Sequence, residues 1–195
     1  KLAFIAPFYG PEASGGAEAE CRHTAHHLAE AGHEVEIWTT CARDLVHGWT
    51  FNWHPEGTSK DGPVTVHRFR VVPHVLQEFD QLHGRILAGE PLSNEEESRF
   101  FALFCNAPDL YRHIAHHADM VDWLLFIPYL FGTTIHGSQI APEKSILIPC
   151  LHDEHYAKTR TVRELFERCA KTVFHSSAEL NLAKELYPHF PMSQA

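Results

Sequence analysis

Several kinds of targeting and anchoring signal are missing from this 195-residue sequence. No apolar run approaches the roughly 18 residues of a membrane-spanning helix, the N-terminus shows no signal-peptide pattern, and no N-x-[ST] acceptor occurs. None of the five cysteines forms a C-x-x-C pair, and Cys21, Cys105 and Cys150 lie in apolar patterns, which favours reduced, packed thiols over a disulfide framework. We therefore expect a cytoplasmic protein. Peripheral contact with the inner face of the membrane stays open, although no basic amphipathic face supports it.

Basic residues are scarce as well. Sixteen lysines and arginines stand against 25 aspartates and glutamates, which gives a formal net charge of −9. A nucleic-acid surface needs clustered lysine and arginine, so this balance argues against a nucleic-acid partner. The apolar fraction of 44% and the charged fraction of 21% are those of an ordinary soluble globular protein. The 17 histidines make the net charge sensitive to pH below neutrality.

Three motifs of common catalytic or nucleotide-binding sites are also absent. There is no G-x-G-x-x-G, and Thr39-Thr40-Cys41 stands where a dinucleotide-binding strand would carry a ribose-binding Asp or Glu. The phosphate-binding G-x-x-x-x-G-K-[ST] loop does not occur. A Ser–His–Asp hydrolase would need a motif such as G-x-S-x-G, which is missing too.

The first forty residues predict a strand, a glycine loop, a helix and a second strand. Leu2–Phe8 is a nearly unbroken apolar run, typical of a strand buried on both faces of a parallel sheet. A loop with three glycines follows, and then Ala17–Ala31 places its small and apolar residues on one helical stripe. Gly32 suits a helix C-terminus, and Glu34–Thr40 alternates as a strand does. The pattern is that of a βαβ unit.

The glycine loop can be interpreted in two ways. Gly15 and Gly16 stand immediately before the predicted helix, so unpaired backbone N–H groups and the positive end of the helix dipole point into the loop. Without Cβ atoms, a phosphate or a sugar could touch that backbone. The other interpretation is a turn that only reverses the chain.

Strands and helices continue to alternate along the rest of the chain. Further strands are predicted at Val64–Val72 (near the sheet edge), Met120–Tyr129, Ser145–Cys150 and Thr172–His175. Helices are predicted at Val75–Leu87, Ser93–Phe104, Asp109–His117, Leu130–Ile140, Arg163–Ala170 and Ser176–Leu186, two of them opened by a Ser-x-x-Glu capping box, and Ala42–Gly62 is predicted as a loop. We therefore predict one α/β domain over residues 1–195, a doubly wound, mainly parallel sheet with helices on both faces.

Ligands in such sheets bind beyond the carboxyl ends of the strands. The segments Phe8–Glu18, Pro128–Thr134 and Cys150–Tyr156 should therefore meet at one crevice. Within the last segment, His152-Asp153-Glu154-His155 could suggest a metal site, as could the histidine groups at His23/His26/His27 and His113/His116/His117. No His-Glu-x-x-His is present, and we favour surface histidines over a metal site.

Two stretches resemble the retaining GT-B glycosyltransferases of family 4. Those chains open with a strand, a loop ending in Gly-Gly-x-Glu, a helix and a Gly-His before the second strand. They also have an apolar strand that ends in a histidine facing the donor sugar, and a later strand that ends in serine before the domain crossover. The matching residues here are Pro7, Gly15, Gly16, Ala17, Glu18, Leu28, Gly32, His33, Ile146–Cys150 with His152 and Asp153, and Val173–Ser177.

The resemblance implies a Rossmann-like N-terminal half of a GT-B enzyme, the half that usually holds the acceptor. His152 would be the catalytic-site residue that hydrogen-bonds the donor sugar, and the Gly15–Gly16 backbone would contact the donor diphosphate or the acceptor. Acceptor-side candidates are Glu18, Tyr9, Tyr129 and Asp153.

The same resemblance implies partners. The donor would be a nucleotide-sugar, which is a substrate, and the acceptor a sugar or a lipid-linked sugar. No metal ion or other cofactor is expected. Most of the donor site belongs to a second, C-terminal domain in that family. Because the sequence starts at Lys1 and stops at Ala195, we expect a trimmed chain that lacks this domain and is inactive alone.

Two alternatives remain open at this point. The first is a free-standing Rossmann-like or flavodoxin-like module that binds a nucleotide or a phosphorylated metabolite. The second is a complete small oxidoreductase acting on sugar nucleotides, which is disfavoured because the dinucleotide fingerprint and a Tyr-x-x-x-Lys pair are both absent.

Overall fold

The computed structural model describes residues 1–73, 76–188 and 190, which form seven strands and seven α-helices. The strands are β1 (Leu2–Ala6), β2 (Val35–Thr40), β3 (Gly57–Asp61), β4 (Val64–Phe69), β5 (Trp123–Phe126), β6 (Ser145–Leu147) and β7 (Lys171–Thr172). The helices are α1 (Gly16–Glu30), α2 (Leu76–Leu87), α3 (Asn94–Leu103), α4 (Pro108–His117), α5 (Gly132–Gly137), α6 (Arg160–Arg168) and α7 (Ser177–Leu186). Val75, the predicted first residue of the second helix, lies outside the described residues.

All seven strands belong to one sheet, in the order β3-β4-β2-β1-β5-β6-β7. Every neighbouring pair is parallel except β3 and β4, which form an antiparallel hairpin. Because the carboxyl ends of parallel strands all lie on the same side, the loops that follow β1, β6 and β7 are brought together at the carboxyl ends of the strands.

Helices cover both faces of the sheet because its strands are apolar on both sides. On one face, Phe4 and Ile37 pack with Cys21 and Ala25 of α1. On the other face, side chains such as Ile5, Trp38 and Phe126 pack with the apolar stripes of α3 and α4. The predicted doubly wound, mainly parallel α/β fold is therefore confirmed.

The predicted loop Ala42–Gly62 was wrong in its last part. Gly57–Asp61 forms β3, the edge strand of the sheet, and β4 consequently lies one position in from the edge. The sequence GTSKD shows no apolar alternation because four of its five residues are exposed and the fifth is half-buried. Only pairing with β4 makes it a strand.

Asp61, the last residue of β3, connects the β3–β4 hairpin to α1 through side-chain hydrogen bonds. Its carboxylate accepts hydrogen bonds from Tyr9 Oη at 2.9 Å and from Arg22 Nε and Nη2 at 2.7 and 2.9 Å, and it lies 3.0 Å from His26 Nε2. The hydrogen bonds from the Arg22 guanidinium hold the pKa of Asp61 well below its usual range. The edge strand is thus held by side chains as well as by its ladder.

The five cysteines, all within the described residues, are free thiols, as predicted. Four are buried and Cys150 is half-buried. None of the helices in residues 1–73, 76–188 and 190 is long and apolar enough to cross a membrane.

Candidate functional site

A pocket of about 570 Å³ lies between the start of α1, the loops that follow β6 and β7, and the first turns of α7. Its lining residues are Gly16, Ala17 and Glu20 from α1, Cys150, Leu151, His152 and Asp153 after β6, His175 and Ser176 after β7, and Ala178, Glu179 and Leu182 from α7. This is the carboxyl-end edge of a parallel sheet, the place where ligands of such folds bind.

The pocket brings together two residues that the sequence singled out separately. Gly16 at the start of the first helix and His152 after the sixth strand line the same hollow, although 135 positions lie between them. The His152 side chain is exposed to the pocket and not packed in the core. Asp153 also lines the pocket and makes an exposed ion pair of 2.9 Å with Lys158 Nζ. The third expected segment, Pro128–Thr134, contributes no lining residue.

Gly15 lies at the N-cap position of α1 with φ +154° and ψ 156°, a conformation that only glycine adopts readily. A Cβ atom at this position would also clash with the carboxylate of Glu18, which folds back toward its own backbone N–H. Gly16 differs, because a Cβ there meets nothing within 4 Å. The backbone conformation therefore requires a glycine at position 15. At position 16 a side chain could be accommodated, and its absence exposes the backbone to the pocket.

The Glu18 carboxylate occupies the start of α1 and does not line the pocket. The side chain is only 9% exposed, and burial raises its pKa, with a smaller contribution from the charge of Asp44. An acidic side chain near a helix N-terminus is favoured by the helix dipole. The carboxylate of Glu18 therefore lies at the helix start, where the sequence suggested a bound phosphate.

Tyr9 and Tyr129 are both buried, and each hydroxyl already has a partner. Tyr9 donates to Asp61 at 2.9 Å, and Tyr129 donates to Glu154. Burial, reinforced by the neighbouring carboxylate, raises the pKa of each phenol far above its ordinary value. Tyr129 therefore anchors the loop that carries His152, and neither tyrosine lines the pocket.

The charge of the pocket wall is negative. Glu20, Asp153 and Glu179 line it, and none of its described lining residues is a lysine or an arginine.

Burial raises the pKa of the Cys150 thiol to about 12, and the charge of Glu179 acts in the same direction. Although Cys150 Sγ lies 3.5 Å from His175 Nε2, a thiol with such a pKa is not a ready nucleophile at neutral pH.

Some members of the histidine groups make contacts with other side chains. Over the part of the chain that the structure describes, no group of three or more His, Cys, Asp or Glu side chains is arranged to hold a metal ion. His26 bonds to Asp61, and the His113 ring stacks on His117 with a centroid distance of 4.0 Å.

Sequence reasoning missed His175 and the role of Glu179. In the sequence, Val173–Ser177 stands out only as a strand end that resembles the family, and no motif marks His175 as one of the residues that line the pocket. A signal was available, because His175 ends a predicted strand and His152 closely follows one, and ligands of such sheets bind beyond the strand ends.

Several solved structures are similar to this chain, among them the following two. A sucrose-phosphate synthase from Thermosynechococcus elongatus superposes with a TM-score of 0.53 at 13% sequence identity, covering 94% of this chain and 80% of that chain. A structure described as trehalose-6-phosphate from E. coli bound with UDP-2-fluoro glucose gives a TM-score of 0.49 at 14% identity, and the match covers 95% of this chain and 42% of that one. No protein-family model and no curated protein matches the sequence.

The first of these likenesses defines the class of fold. The chain has the Rossmann-like α/β fold that is found in GT-B glycosyltransferase domains. At this level of identity the likeness extends to the fold, and the function has to be argued from the pocket.

Proposed function

We propose that this chain is the N-terminal, acceptor-side half of a retaining GT-B glycosyltransferase of the family 4 type. The enzyme would transfer a sugar from a nucleotide-sugar to a sugar or lipid-linked acceptor. The observation that carries the proposal is the position of Gly16 and His152 on one pocket at the carboxyl ends of the strands. Two stretches that resemble the family and lie far apart in the sequence would thereby form one site.

Each residue has a role in this proposal. The bare backbone at Gly15 and Gly16 would contact the donor diphosphate or the acceptor, and the His152 imidazole would hydrogen-bond the donor sugar and stabilise charge at the reacting carbon. Asp153 would accept hydrogen bonds from sugar hydroxyls. Glu18 would fix the glycine loop.

Tyr9 and Tyr129 would act indirectly. Because their hydroxyls are engaged with Asp61 and Glu154, they would support the hairpin and the His152 loop and would not touch the acceptor in this conformation. No residue requires a metal ion in this scheme.

The negative pocket supports the need for a second domain. A donor diphosphate carries negative charge, whereas the Glu18 carboxylate already occupies the start of α1 and none of the described residues lining this wall is a lysine or an arginine. In the proposed enzyme the cations would come from a C-terminal domain across the cleft. The chain alone should therefore bind a nucleotide-sugar weakly.

Ligand-observed NMR with the 195-residue chain tests the site. The probes are UDP-glucose and GDP-mannose at millimolar concentration, and the variant is His152→Ala. Losing one hydrogen bond to the sugar should weaken binding by roughly fivefold to tenfold. His155→Ala is the matched control, because His155 is an exposed imidazole in the same loop that does not line this pocket.

Two results would count against the proposal. One is the absence of any binding of either probe at millimolar concentration. The other is an equal effect of both substitutions, which would show that His152 has no special part in the site.

The free-standing nucleotide-binding module is the alternative. It would have to hold a phosphate group with this chain alone, which the lack of a lysine or arginine on the described pocket wall disfavours. The gene discriminates between the two proposals. A reading frame that continues for about 150–200 residues, roughly one domain, favours the transferase, and a stop codon after Ala195 favours the module.

A further inference from the structure

The carboxylate of Glu179 joins the two loops that form one wall of the pocket. Glu179 lies in the first turn of α7, is 9% exposed and lines the pocket. Its Oε1 accepts a hydrogen bond from the backbone N–H of Leu151, after β6, and its Oε2 accepts one from the backbone N–H of His175, after β7, both at 2.7 Å. Each oxygen thus binds a different loop.

The hydrogen-bond ladder between β6 and β7 ends before these two loops reach the pocket. The strands β6 and β7 pair through Leu147 and Thr172, and the N–H of Val173 still reaches the carbonyl of Leu147 at 2.8 Å. Beyond that point the Glu179 carboxylate connects the two chain segments, and Cys150 Sγ lies 3.5 Å from His175 Nε2. Both hydrogen bonds are short, at 2.7 Å, and each ends on an oxygen of the same side chain, so the connection restrains both loops.

A comparison within the chain shows that this arrangement differs from ordinary helix capping. Both Ser93-x-x-Glu96 and Ser176-x-x-Glu179 have the capping-box sequence. At α3 the box is closed, because Glu96 Oε2 accepts from the N–H of Ser93 itself at 2.7 Å. At α7 the serine caps Glu179 N in the same way, but the carboxylate passes by the serine N–H and reaches the two loops.

We propose that Glu179 is a positioning residue, whose carboxylate holds the loops after β6 and β7 so that His152 and His175 face the same pocket. The identity of the ligand rests on the proposed function. The connection between the loops does not depend on it, since it is defined by the bonds to Leu151 and His175.

Amide hydrogen exchange of the full 195-residue chain, followed by ¹⁵N NMR at pH 7, tests the connection. In Glu179→Ala the amides of Leu151 and His175 should exchange about tenfold faster or more, after correction for global stability. Glu179→Gln retains one acceptor oxygen in place of two, so at least one of the two amides should lose protection. Glu96→Gln is the matched control, because Glu96 closes the capping box of α3 and does not line the pocket, so this substitution should leave both amides unchanged.

Binding of UDP-glucose, followed by NMR on the same variants, tests the consequence for the site. Misplaced imidazoles should weaken binding about tenfold in Glu179→Ala, whereas Glu96→Gln should bind like the native chain. Unchanged protection of Leu151 and His175 in both Glu179 variants would overturn the proposal, and so would unchanged affinity with lost protection. If the native chain binds no probe, the proposed function fails, and the exchange rates still decide whether Glu179 connects the loops.

Discussion

Two neighbouring glycines at the start of α1 differ in whether the backbone conformation and the surrounding space require a glycine. Gly15 has a positive φ and no room for a Cβ beside Glu18, whereas Gly16 is helical and open on the side of its missing side chain. The pair looks uniform in the sequence, yet only the first member is fixed by the backbone.

The two alanine substitutions should therefore have opposite effects on stability. Gly15→Ala forces an L-residue into a glycine-only region and should lower the free energy of unfolding by about 1–3 kcal/mol. Gly16→Ala removes chain entropy from the unfolded state at a compatible position and should raise it by about 0.4–1 kcal/mol. Urea unfolding at pH 7 measures both, and equal stability of the two variants would contradict the assignment.

At the scale of elements, α4 rests on the sheet through a group of imidazole rings. The His113 ring lies 4.6 Å from the Trp38 ring, 4.0 Å from His117 and 5.4 Å from His67, measured between centroids. Burial, with the charges of His117 and His67, lowers the pKa of His113 to about 4, and Glu36 opposes this shift. His113 is therefore neutral in the folded protein over the whole physiological range.

This lowered pKa predicts a pH dependence of stability. An unfolded histidine titrates near pH 6.5, so between about pH 6.5 and pH 4 the unfolded chain binds more protons at this residue than the folded chain does. Stability from His113 is full above pH 7 and should fall as the pH drops from about 6.5 toward 4.

Urea unfolding at pH 7.5 and pH 5.0 measures this loss. His113→Gln, which cannot be protonated, should lose less stability between the two pH values than the native chain. His23→Gln is the control, because His23 is exposed on α1 and does not contribute to the shift of the His113 pKa, so it should leave the difference unchanged. An identical pH dependence in the native chain and His113→Gln would show that other groups dominate.

At the scale of the whole molecule, both edges of the sheet are protected against pairing with another chain. The edge strand β3 is polar and carries Lys60, and β7 has only two residues, which are common ways in which proteins prevent edge-to-edge aggregation. The pocket that Gly16 and His152 line lies at the carboxyl ends of the strands.

In the proposed function, the cations that bind the donor diphosphate belong to a second domain. This assignment leads to a prediction for the 195-residue chain as a whole. Without cations opposite the pocket to stabilise the leaving diphosphate, the 195-residue chain should release no UDP from UDP-glucose above the uncatalysed background. A coupled assay for UDP release measures this, with and without a sugar acceptor. If the native chain releases UDP and the His152→Ala variant does not, the requirement for a second domain is refuted and the role of His152 is supported.

Much of this fold could be predicted from the sequence, because local patterns dictate it. β1, α1 and β2 begin and end within about two residues of their predicted bounds, since apolar runs and helical stripes reflect burial directly. The expectation that the glycine loop and His152 meet also followed from the sequence, because parallel strands deliver their ends to one edge.

Other features were decided only by the tertiary structure. The strand β3 carries no pattern of its own and exists because β4 offers it a partner. The two Ser-x-x-Glu motifs are alike in sequence, yet Glu96 closes a capping box while Glu179 bridges Leu151 and His175. A sequence pattern reports which groups a residue can bind, whereas the packing of distant loops determines which of them come within hydrogen-bond distance.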